Sequence, residues 1–428
     1  MTKDYQATID WLYSLENMGM KLGLERMREV LSALGDPQDK FRSVHVAGTN
    51  GKGSVCAMLS SIFREAGYHT GLYTSPHLVD FTERIQVDGE QISEEEVASL
   101  AEEVRTVIAE KAVPGRDLTF FEMTTAMAFL CFQRKGVELA VVEVGLGGRL
   151  DATNVIVPEC SVITSLGIEH TQYLGDTLPK IAFEKAGIIK EGVTVISTRH
   201  DEDVLRVIDA VARDRGSPLL VLGRDFDMEV LAADWFGTRV HLHSLNANVV
   251  LPLLGSYQAE NAAMACEAAL EVARRGVYIP EAAIISGLET VYWPGRMEVV
   301  SHKPLLVFDV THTPAGAAAV SSELAKLMNE GWVLVLGVLR DKDLKGICAK
   351  FGPLAKRAVA TSPRTKRAFK AEEVAKALED YCPDVTVVED VADAVQSAMR
   401  MAGPDGSVLV TGSLYMVGEA KQWWGSKK

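Results

Sequence analysis

The sequence lacks any Cys-x-x-Cys pair. Its six cysteines (Cys56, Cys131, Cys160, Cys266, Cys348 and Cys382) lie far apart, in no spacing that a zinc site uses. A disulfide framework is not indicated either, and reduced, mostly buried thiols in a cytoplasmic protein are expected. No run of about 18 apolar residues occurs, so no membrane-spanning helix is expected. The first twenty residues carry Lys3, Asp4, Asp10 and Glu16 and no continuous apolar core, which argues against a secretory leader. An excess of positive charge is also missing: 44 Lys+Arg stand against 58 Asp+Glu, a net charge of −14. Broad, non-specific nucleic-acid binding is therefore not expected. A nucleotide is still possible, because its phosphates need only a local nest of donors. There is no internal repeat and no low-complexity tract. What remains is an ordinary globular composition, 47% hydrophobic and 24% charged over 428 residues, enough for two or three domains with real cores.

Short β-branched runs alternate with longer amphipathic stretches. Residues 43–47, 139–144, 161–165 and 193–197 read as strands, and 53–66, 94–110, 124–133 and 202–213 as helices. That alternation implies βαβ crossovers and a mostly parallel sheet. The run 139–144 is almost continuously apolar, as expected of a strand covered on both faces. Between residues 226 and 253 the pattern becomes alternating and polar, consistent with a small antiparallel excursion, followed by a helix at about 258–274. The segment Val291–Arg296 (VYWPGR), with aromatics, Pro and Gly within six residues, reads as a hinge. A second βα series follows, with strands at 305–310, 332–338, 357–361, 385–388 and 407–411. The expected architecture is α/β: an N-terminal P-loop-type ATPase domain with a mostly parallel sheet (1–295), then a smaller Rossmann-like α/β domain (296–428).

The sharpest local signal is the run Gly48-Thr49-Asn50-Gly51-Lys52-Gly53-Ser54 between a strand and a helix. Three glycines let the backbone turn tightly and aim its N–H groups at one point, and a helix N-terminus adds partial positive charge. Lys52 can reach terminal phosphate oxygens and Ser54 can offer its hydroxyl to Mg²⁺. The strict G-x-x-x-x-G-K-[ST] pattern fails, because position 46 is Val and Gly53 separates Lys52 from Ser54.

The spelling GTNGKGS resembles the nucleotide loop of the Mur-ligase superfamily. Other blocks narrow the resemblance to folylpolyglutamate synthase/dihydrofolate synthase. They are Leu22–Arg26 (LGLER), Tyr73–Leu78 (YTSPHL), Phe81–Ile85 (FTERI), Thr119–Glu122 (TFFE), Glu143–Asn154 (EVGLGGRLDATN), Glu169–Gly175 (EHTQYLG) and Glu184–Ile188 (EKAGI). Further matches at Asn261, Pro294–Arg296, Asp309, His312 and Gly412–Ser413 carry it over nearly the whole chain. The resemblance implies an ATP- and Mg²⁺-dependent amide ligase. ATP phosphorylates a pterin-linked carboxylate, and the amine of L-glutamate then displaces the phosphate. The acceptor is dihydropteroate, a folate, or both. A monofunctional folylpolyglutamate synthase or another Mur-type amino-acid ligase remains the alternative. Two cation sites, a cytoplasmic monomer and an active site in a cleft between domains are expected, with no nucleic-acid or membrane partner.

Residue by residue, the resemblance assigns Thr49, Asn50, Gly51, Lys52, Gly53, Ser54, Asn261, Arg296 and Asp309 to ATP. It assigns Ser54, Ser75, Glu143 and His170 to the metal. A carboxylate at a strand's C-terminal end suits a hard cation, and open α/β sheets place their ligands there. Lys52, Lys185 and His312 are the catalytic candidates. Lys185 is expected to be carbamylated, which requires a neutral amine and hence a lowered pKa. The pterin pocket is assigned to Gly19, Met20, Lys21, Leu22, Thr119, Phe120, Phe121, Glu122, Leu150, Asp151 and Ala152. Phe121 would flank the pterin ring and Asp151 would accept from its N–H groups. One departure stands out. The family's Asp-Gly-Ala-His-Asn-Pro is here Asp309-Val310-Thr311-His312-Thr313-Pro314, so Thr313 replaces an Asn. His241 and His243 alternate on a strand with no third ligand evident, which favours a half-exposed face over a metal pair.

Overall fold

The computed structural model describes residues 3–18, 23–111, 118–327 and 331–427. The backbone forms two compact units. One comprises Met1–Glu229, Val240–Val250 and Ala259–Val291; the other comprises Val230–Arg239, Leu251–Gln258 and Tyr292–Lys428. The first unit's last segment ends at Val291, the second unit's last segment begins at Tyr292, and two upstream segments join the second unit. They do so because Trp235, Leu254 and Tyr257 pack into its apolar core.

In the first unit, β1 (Arg42–Ala47), β2 (Thr70–Tyr73), β3 (Ile85–Val87), β4 (Glu90–Gln91), β5 (Leu139–Glu143), β6 (Cys160–Ile163), β7 (Val195–Ser197) and β8 (Leu219–Val221) form one sheet. Its order is β4-β3-β2-β5-β1-β6-β7-β8. The pairings from β2 to β8 are parallel, and β3 and β4 fold back antiparallel at one edge. The strands expected at 43–47, 139–144, 161–165 and 193–197 are β1, β5, β6 and β7, with small shifts at their ends. The expected helices are Lys52–Glu65, Glu94–Lys111, Phe120–Lys135 and Glu202–Asp214. Strands β2, β3, β4 and β8, each of four residues or fewer, were not among those expected.

Burial explains the apolar runs. Val44, Val46 and Ala47 of β1 and Ala140, Val141 and Val142 of β5 are fully buried, with helix Lys52–Glu65 buried from Gly53 to Phe63. At ~25 cal/mol per Å², each of the larger apolar side chains among them (Val, Leu, Ile, Met, Phe) contributes roughly 1.5–3 kcal/mol. Strand β1 sits between β5 and β6, so the loops after these three parallel strands emerge side by side, where ligands bind in sheets of this kind.

The excursion consists of β9 (Met228–Asp234), β10 (Gly237–Leu242) and β11 (Ala247–Leu251), in the order β11-β10-β9. Trp235 and Phe236 alone join β9 to β10, a link that only an antiparallel pair allows. His241 lies half-buried on β10 and His243 is exposed just past its end, and His241 Nδ1 bonds Asn248 Oδ1 at 2.8 Å. Among the described residues no group of three His, Cys, Asp or Glu side chains is placed to hold a metal.

The second unit carries β12 (Glu298–His302), β13 (Leu305–Phe308), β14 (Trp332–Leu336), β15 (Ala355–Ala360), β16 (Val385–Val387) and β17 (Ser407–Thr411). Their order is β12-β13-β17-β14-β15-β16, with only β12 antiparallel to its neighbour. All six cysteines are buried and free, and no helix among the described residues is long and apolar enough to cross a membrane.

Candidate active site

The turn after β1 is held from below and left uncapped in front. Thr49 N and Asn50 N both donate to Ser165 O, at 2.8 and 3.2 Å, and Thr49 Oγ1 bonds Gly167. Gly51 takes the left-handed φ of +89° and precedes helix Lys52–Glu65, whose N-terminus no side chain caps. Its first N–H groups and the helix dipole therefore face outward as an anion site. The glycines are required sterically. A Cβ at Gly48 would stand 1.8 Å from Thr164 Oγ1, and one at Gly51 would stand 2.6 Å from Asn261 Oδ1. The same contact places the Asn261 side chain beside the turn. Lys52 Nζ folds back onto Gly48 O (3.0 Å) and Thr49 O (3.2 Å).

Lys185, on helix Leu178–Ala186, is 2% exposed, and its Nζ donates to Gly48 O (2.8 Å) and Glu169 Oε1 (3.1 Å). Burial, then the nearby Lys52 cation, push its pKa down to about 8, while Glu169 opposes the shift. Burial raises the Glu169 carboxyl, but Lys185 and Lys52 outweigh it and hold the group below its usual range. Glu169 was missed in the sequence reading, where its block drew attention only to His170. That histidine is exposed, in a left-handed conformation at the start of helix Thr171–Leu174.

Glu143 ends β5 opposite Val46 of β1, is 4% exposed, and accepts from Ser75 N at 3.0 Å. Ser75 in turn lines a cavity of about 340 Å³ that also gathers Thr119, Phe121, Glu122, Leu150, Asp151 and Ala152. Ser54, buried in the first turn of its helix, completes the oxygen donors near the glycine turn.

Four of the residues assigned to the pterin pocket have structural contacts of their own. Phe120 is not in the cavity wall: it is buried, stacked on Tyr13 at 5.6 Å with the Arg84 guanidinium over its ring. Its neighbour Phe121 faces the cavity and lies so close to Gly145 that a Cβ there would come within 2.4 Å of the ring. Thr119 and Glu122 form a capping box at the start of helix Phe120–Lys135. Glu122 also takes Arg26 Nε at 3.1 Å and its terminal nitrogen at 2.8 Å. The S/T-x-x-E spelling could have shown this. Asp151 is 6% exposed, and its oxygens already accept from Leu146 N (2.8 Å), Thr153 N (3.0 Å) and the Thr153 hydroxyl. A carboxylate offers about four lone-pair sites, and donors of its own turn take three of them. Gly19, Met20, Lys21 and Leu22 lie outside the described residues.

In the second unit, Asp309 is 1% exposed and accepts from Met297 N (3.0 Å) and Thr311 N (2.9 Å). His312 Nδ1 bonds Val310 O at 2.9 Å, and Arg296 is half-buried just before Met297. Thr313 Oγ1 accepts from Gly316 N at 3.1 Å and so caps helix Pro314–Leu327. Thr and Asn both serve at such caps, so this local role survives the replacement.

A glycine turn feeding an uncapped helix, with a lysine and a strand-end carboxylate beside it, defines a phosphate-binding α/β unit. Residues 46–269 match the Mur ligase middle domain and residues 295–414 the Mur ligase glutamate ligase domain. The "Dihydrofolate synthase/folylpolyglutamate synthase" of Bacillus subtilis is 34% identical over 426 residues, 98% of each chain. A "Probable bifunctional folylpolyglutamate synthase/dihydropteroate synthase" of Halobacterium salinarum is 38% identical over 430 residues, which are 98% of this chain and 52% of that one. The chain thus spans about half the length of its haloarchaeal relatives. The solved structure of Escherichia coli FolC in complex with DHPP and ADP superposes with a TM-score of 0.87 at 32% identity, covering 98% of both chains. The chain belongs to the dihydrofolate synthase/folylpolyglutamate synthase family of Mur ligases.

Proposed function

We propose that this chain is an ATP- and divalent-metal-dependent amide ligase that joins L-glutamate to dihydropteroate and to folates. The observation that carries the reading is the bridge from turn to cavity. Glu143, paired with β1 at one side, holds Ser75 N, and Ser75 lines the cavity that collects the pterin-assigned residues. A carboxylate in that cavity would lie near the phosphates at the glycine turn. The family match, and the DHPP and ADP held by the Escherichia coli relative, support the substrate class.

The γ-phosphoryl of ATP passes to the substrate carboxylate, giving an acyl phosphate and ADP. The glutamate amine attacks the acyl carbon, loses a proton, and phosphate leaves. The turn's N–H groups and Lys52 stabilise charge on the phosphates, and Asn261 beside Gly51 is placed for the base. Buried Glu143, with the hydroxyls of Ser54 and Ser75, is an oxygen set that fits a hard cation completing its shell with water and phosphate oxygens; the exposed His170 would add a nitrogen. When bound, that cation neutralises charge on the transferring phosphate. For Arg296, Asp309 and His312 the support is the family match alone. Buried free thiols agree with a reducing compartment, and a cytoplasmic monomer is proposed.

Carbamylation of Lys185 adds CO₂ to its neutral amine. With a pKa lowered to about 8, the neutral fraction climbs as pH rises through that value, so modification should increase from pH 7 to 9. Lys185→Ala should lose activity and regain part of it with added acetate; absence of rescue and an unmodified amine by mass spectrometry at pH 8.5 would remove the assignment. The function itself is tested by ADP release with dihydropteroate, then with a reduced folate monoglutamate, each with and without L-glutamate. Both should give glutamate-dependent release. Activity on one alone reduces the reading to a monofunctional enzyme, and activity on neither overturns it.

A further inference from the structure

One buried histidine has no part in the chemistry above. His45 lies on β1, fully buried, three residues before Gly48 of the phosphate turn. Its Nε2 is 2.8 Å from Thr153 Oγ1, and the Thr153 hydroxyl is 2.5 Å from Asp151 Oδ1. Asp151 Oδ2 takes Leu146 N at 2.8 Å. A line of hydrogen bonds thus runs from the central strand to the wall of the cavity.

Proton bookkeeping fixes the direction of that line. Every partner of Asp151 is a donor, so the carboxylate acts as an acceptor throughout. The one hydroxyl proton of Thr153 goes to Asp151. His45 must then donate from Nε2, which makes it the Nε2–H tautomer. Its Nδ1 has no hydrogen-bond partner. Burial first, then the Lys190 cation, hold it neutral.

The wall needs such a tie. Residues 145–148 contain Gly145, Gly147 and Gly148, and glycine loses more backbone freedom on ordering than any other residue. The later half of the loop has other anchors: Arg149 N donates to Glu184 O at 2.7 Å, and Asn154 Nδ2 donates to Arg149 O and Gly187 O, both at 3.0 Å. The earlier half, which faces Phe121, is held through Asp151.

We infer that His45 is a positioning residue for the pterin-acid site, fixing Thr153 and through it the Asp151-bound glycine wall against Phe121. This rests on the reading that the cavity takes the pterin acid. His45→Leu keeps the volume and removes the donor; His45→Gln keeps a donor near the Nε2 position. Thr153→Val and Thr153→Ser form the matching pair. Dihydropteroate binding by fluorescence, and KM for dihydropteroate and for ATP, are measured for each. His45→Leu and Thr153→Val should each raise the dihydropteroate Kd and KM by about tenfold and leave the ATP KM within about twofold. The double variant should be no worse than either, as expected for partners on one line. His45→Gln and Thr153→Ser should recover most of the loss. An equal rise in the ATP KM would assign His45 to the phosphate turn and overturn the inference, as would unchanged dihydropteroate binding in His45→Leu. Nitrogen-15 spectra of the labelled wild-type imidazole supply a readout free of folding failure and of turnover. Nε2 should be protonated and Nδ1 bare from pH 5 to 8, and the opposite tautomer would overturn the inference. A wild type that binds no dihydropteroate overturns the proposed function, a result distinct from the other outcomes.

Discussion

Two glycine-rich turns follow neighbouring strands of the same sheet, and they use their N–H groups in opposite ways. After β1, residues 48–51 lead into a helix that no side chain caps, so the donors of its first turn face outward. After β5, residues 145–151 close on Asp151, and Leu146 N and Thr153 N point inward at its carboxylate. The first turn is an open anion site; the second carries its anion with it. Glycine alone thus says only that a turn is tight. The residue that ends the turn, Lys52 in one and Asp151 in the other, decides whether the donors are left for a ligand.

The sharpest way to break this contrast is to remove each end residue. Lys52→Ala should lower kcat by about a hundredfold or more, in the range of losing one charge-stabilising donor. Its melting temperature should barely move, because Nζ touches only carbonyl oxygens of its own turn. Loss of less than about tenfold would take Lys52 away from the transferring phosphate. Asp151→Asn should do the reverse. It turns an acceptor oxygen into a donor facing N–H groups, at a cost of ~1–3 kcal/mol. Melting temperature should fall and the dihydropteroate KM should rise, while kcat at saturation changes much less. A stable Asp151→Asn protein with normal KM would contradict the account of the second turn.

Substituting the glycines sharpens the comparison at smaller scale. Gly51→Ala meets both the left-handed φ of +89° and Asn261 Oδ1 at 2.6 Å, so a cost of ~1–2 kcal/mol and weaker ATP use are expected. Gly147→Ala also has a positive φ, +67°, but meets the flexible Leu174 Cδ2 at 2.9 Å. It should be milder, with ATP kinetics unchanged. Equal effects of the two on the ATP KM would erase the distinction.

Much of this was legible beforehand, for identifiable reasons. The central strands showed as short apolar, β-branched runs and the helices by their longer amphipathic pattern, and GTNGKGS showed because its glycines, lysine and serine lie within seven residues. Phe121 and Phe120 could not be told apart, since a helix start sends adjacent side chains to different faces. Thr119 and Glu122 line the cavity and also form a capping box, which their spacing could have shown. The tie from His45 through Thr153 to Asp151 joins residues more than a hundred positions apart, and no local pattern reports it. Glu169 was overshadowed by its neighbour His170.

The buried imidazoles add an effect on pH stability. Burial first holds His45, His77 and His200 at about 3, 3 and 4. The unfolded chain binds protons at these sites near pH 6.5, so below that value it binds more than the folded chain and stability falls as pH drops. His45 alone contributes a slope of ~1.4 kcal/mol per pH unit across that window. His45→Gln should flatten the acid limb of urea midpoints by about one proton's worth between pH 6 and 4. An unchanged slope would mean that His45 is not held neutral.

The most direct test of the ligase reading follows an oxygen atom. Dihydropteroate labelled with oxygen-18 in its carboxylate is incubated with the protein, ATP, Mg²⁺ and L-glutamate, and the released phosphate is analysed by mass. Passage through an acyl phosphate predicts one labelled oxygen in each phosphate formed, with ADP and the glutamyl product in equal amounts. Glutamate-dependent turnover that leaves phosphate unlabelled would contradict the acyl phosphate, and labelled phosphate without glutamyl product would contradict the ligation.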